Sequence, residues 1–71
     1  MKLPQISGKD LIKILRRNGF VVVRQKGSHI RLEKNTEKET IKITVPNHKT
    51  IKKGTLNQII KVSGLKEEDL I

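Results

Sequence analysis

The 71-residue sequence contains no cysteine, no tryptophan and no tyrosine, and Phe20 is its only phenylalanine. The lack of cysteine excludes a disulfide framework and thiolate metal sites, and small domains without disulfides are typical of a reducing compartment. The lack of aromatics disfavours the single-strand RNA modules that stack bases on aromatic rings. We therefore expect a cytoplasmic protein whose contacts depend on charge, hydrogen bonds and shape.

Long apolar stretches are also missing. The longest aliphatic and aromatic run, Phe20 to Val23, is far too short to span a bilayer, and Met1 to Gln5 lacks the apolar region of a signal peptide. A chain of this length buries only roughly 60% of the surface that its unfolded state exposes. We expect one domain over residues 1–71 with a modest core and no membrane partner.

Acidic residues are few, whereas lysine and arginine are abundant. The chain has 16 basic and 7 acidic side chains, a net charge of +9 and a pI near 10.3. Three of the acids are Glu67, Glu68 and Asp69, so residues 1–65 alone carry a net charge of +11. Such a balance is typical of proteins that bind polyanions, because lysine and arginine displace the counterions condensed on phosphates. The alternative interpretation is a solubilising surface.

A first helix is predicted over Gly8 to Asn18. Ser7 has the character of an N-cap, and the Asn18-Gly19 pair supplies the left-handed stop. The helical period divides its residues into two faces. The apolar face consists of Leu11, Ile12, Ile14 and Leu15, and the basic face of Lys9, Lys13, Arg16 and Arg17.

Three strands are predicted after this helix, over Phe20 to Gln25, His29 to Glu33 and Thr40 to Val45. They are joined by a turn at Lys26 to Ser28 and by a polar hairpin loop at Lys34 to Glu39. The continuous apolarity of the first strand leaves its inward face undecided.

Alternation in the second and third strands assigns their faces. If Ile30 and Leu32 are buried, then His29, Arg31 and Glu33 lie on the opposite face. In the third strand Ile41, Ile43 and Val45 point inward, and Lys42 points outward.

A second helix is predicted over Lys53 to Ser63, ended by Gly64, with a short turn within Lys66 to Leu70. The order helix, three strands, helix predicts an α+β fold of the double-stranded-RNA-binding type, α-β-β-β-α. Its three-stranded antiparallel sheet would carry both helices on one face. The other face would be open to solvent and would present His29, Arg31 and Lys42.

The tripeptide Gly27-Ser28-His29 is the strongest candidate for a chemical site. Histidine titrates near neutral pH and can act as general acid or base, and RNA carries its own nucleophile in the 2′-hydroxyl. Gly27 permits a close backbone approach, and adjacent N–H groups in such a turn can hold an anion. Ser28 could be a nucleophile or a hydroxyl that contacts phosphate, and His48 a second proton-transfer group or a loop residue. From the residues alone, His29 could equally be a structural histidine.

Basic residues in three places are the candidate phosphate contacts. They are Arg24, Lys26 and Arg31 beside His29, Lys9, Lys13, Arg16 and Arg17 on the first helix, and Lys49, Lys52 and Lys53 before the second. Metal catalysis is disfavoured because two-metal nucleases need converging carboxylates. Outside the hairpin loop and the acidic tail the only acids are Asp10 and Glu33. We expect no metal site and no cofactor.

An ordered set of short motifs runs along the chain. The set is Leu3-Pro4, Ile6-Ser7-Gly8, Gly19-Phe20, Val23-Arg24-Gln25-Lys26-Gly27-Ser28-His29, Val45-Pro46 with His48, and Gly54-Thr55-Leu56. Together these motifs resemble the HicA family of toxin ribonucleases, also called YcfA-like proteins. The similarity extends from about Leu3 to Leu70, and no position of the set departs from the family pattern.

The resemblance implies a small double-stranded-RNA-binding-like fold, cleavage of messenger RNA and neutralisation by a HicB antitoxin. In the family the histidine of the Gly-Ser-His element is catalytic, and here that position is His29. Two other functions remain open from the residues. One is a noncatalytic double-stranded RNA-binding module, which has the same order of elements. The other is a protein-interaction partner whose positive surface complements an acidic protein.

Overall fold

The computed structural model describes residues 5–70, so the Leu3-Pro4 motif and the ends of the expected domain lie outside the described residues. In chain order the described elements are α1 (Gly8–Arg17), β1 (Val21–Lys26), β2 (His29–Asn35), β3 (Thr40–Pro46), α2 (Lys53–Ser63) and a 3₁₀ turn (Glu67–Leu70). The strands form one antiparallel sheet in the order β1-β2-β3. Both helices lie on one face of the sheet, which confirms the predicted α+β fold and its α-β-β-β-α order.

Helix α1 begins at Gly8 as the sequence predicts and ends at Arg17, one residue before the predicted Asn18, which is its C-cap. The Ser7 hydroxyl accepts a hydrogen bond from the Asp10 backbone N–H at 3.1 Å, which satisfies one of the free donors of the first turn. After the helix, Gly19 adopts a φ of 95°, a conformation that favours glycine. Leu11 and Leu15 are fully buried, whereas the other two residues of the predicted apolar face, Ile12 and Ile14, are half-buried against the core.

Strands β2 and β3 follow the predicted alternation. Ile30, Leu32, Ile43 and Val45 are buried beneath the helices, and Ile41 is half-buried against them. The residues that alternate with these in β2 and β3 lie on the open face of the sheet. His29, Arg31 and Lys42 are exposed there, as predicted, and Glu33 is half-buried.

Several predicted boundaries are wrong by one or two residues. Lys26 belongs to β1 rather than to the turn, and Pro46 belongs to β3, because each is paired with His29 in the sheet. Lys34 and Asn35 belong to β2 rather than to the hairpin loop, because they pair with Ile41 and Thr40 across the sheet. Phe20 precedes β1 rather than starting it, since its backbone N–H bonds back to the Leu15 carbonyl at 3.0 Å.

Within residues 5–70 the core is a single cluster of 14 buried apolar residues contributed by both helices, the sheet and the segments around them. Phe20 belongs to this core and is only 2% exposed, so the one aromatic ring is not available to stack on a base. The Lys34 ammonium lies 5.7 Å from the centre of this ring. Helix α2 ends at Gly64, whose φ of 76° is the left-handed conformation expected there.

Candidate functional site

The turn between β1 and β2 positions the candidate histidine. Lys26 and His29 are the last paired residues of the hairpin, so Gly27 and Ser28 form a two-residue loop. Gly27 has a φ of 60° and Ser28 does not have a positive φ, a combination typical of the type II′ turn that suits the twist of hairpins. A Cβ atom at Gly27 would meet no atom within 4 Å, so the backbone conformation and not space favours glycine there.

A shallow cleft of about 210 Å³ lies on the open face of the sheet around His29. Its lining residues are Arg24, Lys26, His29, Arg31 and Thr44. The strand register explains this grouping in two rows. Lys26 lies opposite His29 in the first row, and Arg31 lies between Arg24 and Thr44 in the second. Directly opposite residues such as Lys26 and His29 have Cβ atoms about 5 Å apart, and the long side chains of Arg24 and Arg31 line the same cleft from the next row.

The cleft is electropositive and open to water. Three of its five lining side chains are cationic, none is acidic, and all five belong to exposed residues. Guanidinium and ammonium groups make strong charge-assisted hydrogen bonds to phosphate oxygens. The arrangement can therefore hold a phosphate against a titratable imidazole without enclosing it. Thr44 is the one lining residue that the sequence analysis did not select, although its outward position two residues from Lys42 could have indicated it.

The segment that follows β3 is hydrogen-bonded to the turn between β1 and β2 and to the start of α1. The Asn47 N–H donates to the Ser28 carbonyl at 2.6 Å, and the Gly8 N–H donates to the His48 carbonyl at 2.9 Å. Pro46 lies opposite His29 in the sheet. The structure thus brings His48 to the end of the molecule that carries His29. Its side chain is exposed but does not line the cleft.

The other candidate phosphate contacts lie away from the cleft. Lys9, Lys13, Arg16 and Arg17 are exposed on α1, in the helical layer behind the sheet. Lys49, Lys52 and Lys53 are exposed around the start of α2, where Lys52 occupies the N-cap position. Of the ten predicted cations, the structure gathers only the three hairpin residues around His29.

Among the side chains that the structure describes, those of residues 5–66 and 68–70, no group of three or more histidine, aspartate or glutamate residues comes together as metal ligands. In the same part of the chain, no buried side-chain nitrogen or oxygen lacks a hydrogen-bond partner. The interior of this part of the chain therefore offers no unpaired polar side chain for a ligand, and the candidate site is the surface cleft. Neither described helix has the length and apolar content needed to cross a membrane.

Comparison with known proteins gives one family. The family model described as the HicA toxin of bacterial toxin-antitoxin matches residues 8–65, which run from the first residue of α1 to just beyond the end of α2. The match includes the hairpin turn, every residue that lines the cleft, and the Gly8 and His48 contact. No curated protein matches the chain significantly.

Proposed function

The chain belongs to the HicA toxin family of bacterial toxin-antitoxin systems, and from this membership we propose that it is an endoribonuclease that cleaves messenger RNA, with His29 as its catalytic residue. The observation that supports the proposal best is the cleft itself. It combines one exposed imidazole with Arg24, Lys26 and Arg31, and it has no acidic side chain in its lining. A phosphodiester is the ligand that this set of groups fits.

The reaction needs little beyond these groups. Neutral His29 accepts the proton of the ribose 2′-hydroxyl as the 2′-oxygen attacks phosphorus, and the bond from phosphorus to the 5′-oxygen breaks. The leaving 5′-oxygen takes up a proton from solvent water, and His29 later returns its proton to solvent, which gives a 2′,3′-cyclic phosphate and a 5′-hydroxyl end. The guanidinium groups of Arg24 and Arg31, together with Lys26, stabilise the negative charge that develops on the phosphoryl oxygens. Backbone N–H groups of Gly27 and Ser28 and the Ser28 hydroxyl assist in holding that phosphate.

The remaining cations are proposed to bind the rest of the RNA. Those of α1 and those around the start of α2 lie outside the cleft and can neutralise phosphates on either side of the scissile one. Since Phe20 is buried, no phenylalanine, tyrosine or tryptophan ring within residues 5–70 is available to stack on a base, and we expect the contacts to be mainly electrostatic. We expect RNA binding to weaken steeply as salt concentration rises.

A toxin of this kind has an antitoxin partner. We propose that the partner is a HicB-like protein that covers the open face of the sheet, so that phosphate no longer reaches His29. Because messenger RNA is the substrate, both proteins would act in the cytoplasm.

Cleavage of RNA by the purified protein is expected to continue unchanged in EDTA. Lysine, arginine and histidine supply the charge and the proton transfer, and within residues 5–70 no cluster of carboxylates is available to hold a divalent ion. The test uses a labelled single-stranded RNA and a duplex of the same sequence, with and without chelator. Loss of activity in EDTA that added Mg²⁺ restores would contradict the proposed chemistry. Binding of the duplex without any product would favour the noncatalytic RNA-binding module instead.

His48→Ala is expected to lower the cleavage rate by less than tenfold. His48 contributes its backbone carbonyl to the Gly8 N–H, whereas its side chain does not line the cleft. Single and double histidine variants compared in single-turnover kinetics test this expectation. If His48→Ala lost as much activity as His29→Ala, and the double variant lost no more than either, the two imidazoles would act as an acid and base pair.

A further inference from the structure

Strand β1 carries three consecutive exposed valines that the proposed catalytic site does not use. Val21, Val22 and Val23 are 58%, 44% and 48% exposed, and we call them the valine strip. The only other large exposed hydrophobic residue in the described part of the chain is Val62, which is 48% exposed on α2. Single exposed apolar residues are ordinary, but a contiguous group of them on a small domain marks an interaction surface.

The strip is exposed because the helices cover β1 less than they cover the rest of the sheet. Val22 lies opposite Leu32 and shares its face of the sheet, yet Leu32 is fully buried and Val22 is not. Both helices pack against β3, at the other side of the sheet, and α1 also contacts β1. No residue of β1 is buried, so the strip is uncovered on the helical side and on the open side.

β1 is also an edge strand. In the described structure it pairs only with β2, so the backbone groups on its outer side have no strand partner. The register shifts between Val22 and Arg24, which makes Val23 a bulge residue. Proteins protect such edges with bulges and charged residues, and here both occur next to apolar side chains that remain uncovered.

Positive charge lies at both ends of the strip. Arg16 and Arg17 lie in the last turn of α1, just before the valine strip in the chain. Arg24 and Lys26 lie just after the strip. The acidic residue in register with the strip is Glu33, opposite Val21, and Lys42 lies on the other side of Glu33. A second copy of this chain is a poor occupant, because two molecules of net charge +9 repel each other.

We propose that the valine strip is the docking surface for an apolar segment of the antitoxin, flanked by acidic residues. The inference rests on the proposed toxin function and adds the place and chemistry of contact. Apolar side chains of the segment cover the valines, and its carboxylates meet Arg16 and Arg17 at one end and Arg24 at the other. Because Arg24 also lines the cleft, a segment bound here lies against the margin of the proposed active site and hinders phosphate access.

The test replaces the three valines together by threonine, which has nearly the same shape and keeps a high preference for strands. The variant is compared with wild type for binding to the purified cognate antitoxin, by titration calorimetry, and for RNA cleavage. We expect antitoxin binding to weaken at least tenfold and cleavage by the free toxin to stay within twofold. Val62→Thr is the matched control, because it removes an equally exposed valine outside the strip and should leave both quantities unchanged.

Three results would overturn the inference. The first is antitoxin binding by the triple variant at wild-type affinity. The second is self-association of wild type, seen by sedimentation and lost in the variant, which would make the strip a contact between copies. The third is loss of RNA binding with an unchanged melting temperature, which would make it an RNA contact. Failure of wild type to cleave any RNA would refute the proposed nuclease, whereas antitoxin binding would still test the strip.

Discussion

Replacing His29 by alanine is expected to reduce RNA cleavage by a factor of about 10² to 10⁴, the usual contribution of a positioned general acid or base. His29 is exposed at the first position of β2, and the turn before it is set by the backbone of Gly27. The substitution therefore removes the proton-transfer group without disturbing the core. The melting temperature should change by no more than about 4 °C, as for an ordinary surface substitution in a domain of this size.

Affinity for RNA separates a catalytic role of His29 from a binding role. Arg24, Lys26 and Arg31 remain in the variant, so its binding to a non-cleavable RNA analogue with 2′-O-methylribose at each position should stay within about threefold of wild type. His48→Ala carries the same substitution at the other histidine and serves as the comparison. Cleavage by His29→Ala within tenfold of wild type would refute the assignment of His29. An equal fall in binding and cleavage would make it a phosphate contact only.

The hairpin that carries the site follows largely from local sequence. Four of the five residues that line the cleft lie within an eight-residue stretch, from Arg24 to Arg31. Alternation in β2 is enough to place His29 and Arg31 on one face, whereas the two-residue turn and the register that bring Arg24 and Lys26 opposite them are seen only in the structure. The open position of His29 and Arg31 could therefore be predicted from Ile30 and Leu32 being apolar. Thr44 was harder, because its place beside Arg31 depends on the register that the loop before β3 sets.

Features that depend on contacts between distant segments could not be predicted. The valines of β1 are equally typical of a strand that is buried on both faces. Their exposure depends on how far the helices cover the sheet, which the sequence of the strand does not show. The extension of β2 through Lys34 and Asn35 was missed for a similar reason, because polar residues in a hairpin favour a loop until their partners in β3 are known. The link from Gly8 to His48 joins residues 40 positions apart and has no local pattern.

Gly8→Ala is expected to destabilise the protein by about 2 kcal/mol or more, although alanine normally favours helices over glycine by about 1 kcal/mol. A Cβ atom at this first residue of α1 would collide with the Pro46 carbonyl oxygen and would lie 2.9 Å from the Asn47 Cα and 3.2 Å from the His48 nitrogen. All three are backbone atoms, so no side chain can move aside. The Gly8 N–H bond to the His48 carbonyl would be strained as α1 is pushed away.

Gly54→Ala is the matched control for this prediction. Gly54 lies in the first turn of α2, and a Cβ atom there would meet nothing within 4 Å, so the substitution should raise stability by up to about 1 kcal/mol. Thermal and urea unfolding of both variants measure the difference. A loss of about 2 kcal/mol lowers the melting temperature of a domain of this size by about 10 °C.

If Gly8→Ala were as stable as wild type, the close packing of α1 on the segment after β3 would be wrong. If it loses stability as expected, the Asn47 bond to the Ser28 carbonyl should weaken with it. Cleavage by the folded variant, measured well below its melting temperature, should then fall too, because the turn before His29 loses its support.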